Sequence, residues 1–168
     1  MLTIETSARR KQIDDLIDHG DFDAIGELEG ITIVEKRTRD VRYRCAEYVF
    51  RKVKGETWAR RTIPVAFWNN TLLFLDEHGY RRVEELNSDD IVGYASDSIY
   101  TGVSDDPTSL YYASEEGKKR TPPYFQHFGV YLEGNQIKSK LNNYHIVTHN
   151  LDMVPNRFGT QVYFFRKV

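Results

Sequence analysis

A chain of 168 residues is most simply one domain, long enough to bury a core without disulfides or structural metal. Its 40% hydrophobic and 13% aromatic content excludes a disordered chain, and 23 basic against 25 acidic side chains give no global reason to expect nucleic acid or an anionic membrane as partner. The single cysteine excludes an intramolecular disulfide and a Cys-based zinc site, and no apolar run approaches the roughly 20 residues that span a bilayer.

In chain order, "TSARRKQIDDLIDHGD" offers Thr6 or Ser7 as N-cap and Ile13, Leu16 and Ile17 at helical spacing, with a stop at Gly20. "ITIVEKR" (31–37) reads as a short strand. Lys36, Arg37, Arg39, Arg42 and Arg44 then form a local basic run, read as a solvated face because Asp40 interrupts it and the whole chain is not basic. "CAEYVFRKVKG" places Ala46, Val49, Phe50 and Val53 at helix-compatible spacing before Gly55. From residue 63 the expectation is short strands: "TLLFLDE", "IVGYAS", "HFGVYL", "QIKSKL", "YHIVTH" and "TQVYFFRKV". The polar segment 97–123 is too long for a connector and reads as a flap or insertion. The organisation is α+β, N-terminal helices packed on a small antiparallel sheet, with 1–39 as a helical addition to a core over 40–168.

The chemistry starts at Cys45. At a helix start, the macrodipole and free N–H groups favour a thiolate, and a histidine opening a nearby strand supplies its ion-pair partner and general acid. His127 opens "HFGVYL". Without that partner, a lone cysteine is a small apolar core residue and a strand histidine merely satisfies a carbonyl. His145 and His149 lie four apart with no convincing third ligand, so hairpin packing explains them better than a metal, and neither metal nor cofactor is expected.

The order of these features resembles the papain-like NlpC/P60 and CHAP amidases of bacterial cell-wall biology. "RCAEYVFRKVKG" stands where that family has Asp-Cys-Ser before an apolar helix. "VEELNSDDIVGY" resembles its strand approach, with Leu86, Asp90, Ile91 and Val92 at matching positions, "HFGVYLEGN" resembles its His-Val-Gly-Ile-Tyr segment, and "QVYFFRKV" resembles its last strand. The resemblance implies a cysteine peptidase or amidase with Cys45 as nucleophile and His127 as general base. It places the orienting third residue on Ser139 by ungapped count, or on Asn142, Asn143 or His145 if the hairpin is longer. Arg44 and Ala46 would flank the substrate, a peptide or peptidoglycan-like molecule, and the cation at Arg44 would favour an anionic over an amine-bearing one. A wall hydrolase without an apolar leader in "MLTIETSARRKQIDDL" would be cytoplasmic as encoded and released by phage lysis or dedicated export. Two alternatives stand beside the hydrolase: a catalytically degenerate relative that binds a peptide or protein, and a non-enzymatic binding module using the basic run 36–44.

Overall fold

The structure is a computed structural model and describes residues 1–36, 44–97, 120–141 and 145–168. Ser7 starts helix α1 (Ala8–Asp18), its side chain accepting from the Arg10 N–H, and Gly20 ends the segment at φ +70, where a side chain would be strained. A short helix α2 (Phe22–Ile25) follows, capped by Asp21. Strand β2 (Ile31–Glu35) realises the expected "ITIVE". The chain is helical from Cys45, wound as a π-helix over Glu47–Val53, with the Lys54 N–H bonding back five residues to the Val49 carbonyl. That wider turn explains a departure from the expected face. Tyr48 is buried with Ala46, Val49 and Phe50, whereas Val53 is 41% exposed.

The expected strand "TLLFLDE" is a helix. Asn70 accepts from the Leu73 N–H and starts α4 (Thr71–Glu77), which buries Thr71, Phe74 and Leu75 at three- and four-residue spacing. Helix α3 (Val65–Asn69) precedes it, in a stretch where the sequence pattern predicts only short strands. The remaining strand expectations hold with small shifts: β4 (Ile91–Ser96), β5 (Tyr124–Tyr131), β6 (Gln136–Lys140), β7 (Ile146–Asn150) and β8 (Gln161–Lys167). Strands β1 (Leu2–Thr3) and β3 (Tyr80–Val83) add to them.

These strands form one antiparallel sheet in the order β1-β8-β4-β5-β6-β7-β2, with β3 pairing on β8. The architecture is therefore α+β, with most helices preceding most strands, although β2 returns from the N-terminal part to the sheet edge beside β7. Period-two alternation gives the sheet two buried faces. On the first, the π-helix, α3 and α4 cover Ile91, Phe125, Phe128, Val130, Ile146, Tyr163 and Phe165. On the second, α1, α2 and the 3-10 turn Asn156–Phe158 cover Val92, Tyr94, Ile137, Val147 and Val162.

Candidate functional site

Cys45 stands where expected, at the first helical residue, with the Arg44 N–H donating to the Glu47 carboxylate (3.3 Å) beside it. Its chemistry differs from expectation. Burial pushes the thiol up to about 11, with Glu47 adding to the rise, while the backbone N–H groups of Phe128 and Ala46 and the charge of Arg44 pull it down by less. Cys45 is thus a neutral thiol near pH 7. Ala46, expected to flank a substrate, is 1% exposed and packs in the first-face core, so it touches no ligand; Arg44 is exposed.

His127 does not open a strand. It lies in the middle of β5, because pairing with β4 begins at Tyr124, three residues earlier. Its cross-strand partner is Tyr94, which belongs to the second face, and the imidazole stacks on Phe158 at 4.5 Å and 11°. The next residue, Phe128, points the other way, into the first-face core against Phe50 at 5.3 Å. Cys45 therefore meets β5 on the side of Phe128, and His127 lies behind the sheet. The expected Cys45–His127 pair is not formed, because adjacent residues of a strand face opposite sides. Burial holds the His127 imidazole well below its ordinary pKa, with His149 adding to the effect, and neither ring nitrogen has a hydrogen-bond partner among the described residues.

The third position fares similarly. Ser139 lies on the second face, but its hydroxyl is 3.0 Å from Nε2 of His149 rather than bonded to His127. His149 Nδ1 is 2.8 Å from the Asn150 carbonyl, which can only accept, so Nδ1 carries the proton and Nε2 accepts from Ser139. This resembles an activated serine in its bonding alone: Ser139 is 0% and His149 2% exposed, beyond the reach of a substrate. His145 instead donates from Nε2 to the Asp23 carboxylate (2.9 Å) and sets its ring edge against Phe22. Asn142, Asn143 and most of the 97–123 segment lie outside the described residues. The pair His127 and His149, with ring centroids 6.3 Å apart, is the feature the sequence reading missed. The sequence shows only that both histidines fall in strand patterns; that they share a face follows from β5 and β7 flanking β6. Among the described residues, no three His, Cys, Asp or Glu side chains converge as metal ligands.

Charge is segregated along the chain. Residues 1–35 carry nine acidic and three basic side chains, whereas residues 36–61 carry ten basic and three acidic. Much of the acidic set lies on α1 and α2 over the second face, whereas Arg51, Lys52, Lys54, Arg60 and Arg61 lie on or just after the π-helix over the first; Arg37, Arg39 and Arg42 of the basic run lie outside the described residues. There the Arg51 guanidinium donates to the Arg60 and Arg61 carbonyls at 3.1 and 3.3 Å, which gathers three arginines at one end of the helix. Lys52, Arg60 and Arg61 are exposed, and Glu56, in the same stretch of chain, is already engaged by Lys167 at 2.7 Å and Tyr80 at 2.6 Å. No protein-family model matches this chain, and neither do any of the curated proteins or solved structures compared with it.

Proposed function

We propose that this protein is a binding domain rather than a hydrolase: a papain-like order of elements without its dyad, in which the basic ridge at the end of the π-helix docks an acidic polypeptide segment. The observation that carries the reading is the bonding of the Arg51 guanidinium to the Arg60 and Arg61 carbonyls, which brings three arginines together at one end of the π-helix, with Lys52 exposed nearby in sequence. The papain-like part rests on a helix that starts at Cys45 and packs by its N-terminal turn against the central strand β5.

A polypeptide suits this surface better than nucleic acid. The chain is −2 overall, and the acidic α1–α2 layer would repel an extended polyanion that wrapped beyond the ridge. Trp58 offers no stacking platform, since it is packed among Phe50, Phe67 and Phe74. Exposed ion pairs contribute only about 0.2–1 kcal/mol each, so a cluster of this size supports roughly millimolar rather than tight binding, strongly weakened by salt. Fluorescence anisotropy with a labelled glutamate-rich peptide tests this. Binding at low salt that falls at least tenfold in Arg60→Glu/Arg61→Glu supports the ridge. Equal affinity in that variant, or preference for single-stranded DNA of equal charge, refutes it, and Cys45-dependent cleavage of amide substrates would restore the hydrolase.

A further inference from the structure

The second face of the sheet holds a buried polar cluster that the binding reading does not use. His127 is 1% exposed and His149 2%, and they belong to neighbouring parts of one core, beside Tyr94 at 5.8 and 6.4 Å. His149 spends both nitrogens on Ser139 and Asn150, and Tyr94 donates to the Leu151 carbonyl at 2.8 Å. His127 alone is left with two unpartnered nitrogens among the described residues. Its ring lies flat against Phe158, the last residue of the 3-10 turn Asn156–Phe158.

We propose that the His127–His149 pair is an acid-operated latch, in which uptake of a proton by either imidazole lifts the turn Asn156–Phe158, and helix α1 with it, from the second face of the sheet.

The surroundings of the pair determine why a proton is not tolerated in the closed state. From β4 the facing titratable group is Tyr94, a phenol whose burial raises it further and keeps it neutral. From α1 it is Arg10, already a cation, whose guanidinium donates to the Val154, Glu5, Pro155 and Gly159 carbonyls. Asp14 of α1 is held by Arg157 of the turn and by the Asn156 N–H. Only Asp152, in the turn after β7, exerts an attraction on His149, and none of these groups does so on His127. An imidazolium at His127 would therefore have no acceptor among the described residues, and a second ionisable ring 6.3 Å away. Stacking on Phe158 offers a cation–π attraction, smaller than the loss of hydration at a fully buried site.

The turn is the element that yields. It is three residues long, whereas β5, β6 and β7 are held by ladders on both sides. It is also tied to α1, through Arg157 to Asp14 and Asp18 and through Arg10 to the Val154, Pro155 and Gly159 carbonyls, so the two move together. Histidine is the side chain whose ordinary charge change falls between about pH 5 and 8, so the imidazoles are the groups the latch turns on.

Hydrogen exchange on the full chain between pH 7 and 5, corrected for the intrinsic pH dependence of exchange, reads the opening directly. For each proton taken up on opening, the opening constant rises about tenfold per pH unit below roughly pH 6. Protection should therefore fall by that factor over residues 8–18 and 151–160, with the π-helix and β3 unchanged. His127→Phe keeps the stacked shape without the proton, and should shrink the pH dependence to the share of His149. Uniform loss of protection across both faces, no pH dependence in the wild type, or an unaltered dependence in His127→Phe would each overturn the latch. If His127→Phe does not fold, the imidazole C–H titration of the wild type decides: rings titrating near pH 6.5 with the fold closed refute it, and rings that stay neutral until the turn opens support it.

Discussion

Replacing Arg10 by methionine tests how the N-terminal helix is fastened to the sheet. The guanidinium is 1% exposed and donates to four carbonyls: Val154 at 2.9 Å, Glu5 at 3.0 Å, Pro155 at 2.9 Å and Gly159 at 2.6 Å. Methionine fills much of the volume but leaves those carbonyls without a donor. Hydrogen bonds to a charged donor contribute roughly 1.5–3 kcal/mol each, so the gross loss is about 6 kcal/mol or more. Relief from burying a cation offsets part of this, consistent with the lowered pKa that burial imposes on Arg10. The net expectation is a destabilisation of about 2–4 kcal/mol, or roughly 5–15 °C in Tm for a domain of this size. Arg10→Lys should recover less than half, because an ammonium lacks the fork that reaches residues on both sides of the turn. Urea denaturation at pH 7 measures both variants. A loss within about 0.5 kcal/mol for Arg10→Met would show that the four carbonyls are satisfied by water and that α1 is held by its apolar face alone.

Stability should also depend on pH through His149, whose pKa burial lowers from 6.5 to about 4. Above pH 6.5 the group contributes nothing; as pH falls below that value the unfolded chain takes up the proton first, so the unfolding free energy from urea denaturation should decline by up to about 3 kcal/mol by pH 4, and His149→Gln should flatten that share of the decline. Asp90, 3% exposed, accepts from Arg166 at 2.8 and 2.7 Å and from the Asn87 N–H at 2.7 Å, so Asp90→Asn should cost about 2–4 kcal/mol by thermal melting, and a neutral outcome would deny that this pair closes the start of β4. Phe128 occupies the position of β5 that faces the Cys45 side, so Phe128→His should raise alkylation of Cys45 near pH 7 while costing core packing against Phe50, Phe67 and Phe125; unchanged reactivity in a folded variant would contradict that placement.

Much of the sheet is legible in the residues. Period-two runs bounded by Gly, Asn and Asp locate β4 to β8, and Ser7 with Gly20 brackets α1. Helix α4 misleads because "LLFL" is a continuous apolar run that suits a buried strand or helix alike; the Asn70 cap and the straight-chain leucines decide it. The misplaced dyad has a more instructive cause. Alternation already puts Phe128 and Val130 on one side of β5 and His127 on the other. Which side the helix at Cys45 covers is a tertiary fact, set by the packing of Ala46, Val49 and Phe50 onto Phe128. A bulge between Tyr94 and Ala95 in the pairing with β5 further places Phe125 and Phe128, three apart, in the same core, a register no local pattern announces. The buried histidine pair is hidden for the same reason, since His127 and His149 lie on strands that meet only through β6.

The separation of Cys45 from His127 is tested most directly by the alkylation rate of Cys45 with iodoacetamide across pH 6–10, in the wild type and in His127→Ala. A thiol at about 11 is at least ~100-fold poorer in thiolate at neutral pH than an ordinary cysteine, so labelling should be slow, should rise with pH throughout the range, and should be the same in both proteins between pH 6 and 8. Fast labelling at pH 6 that disappears in His127→Ala would put the imidazole beside the thiolate and contradict the account.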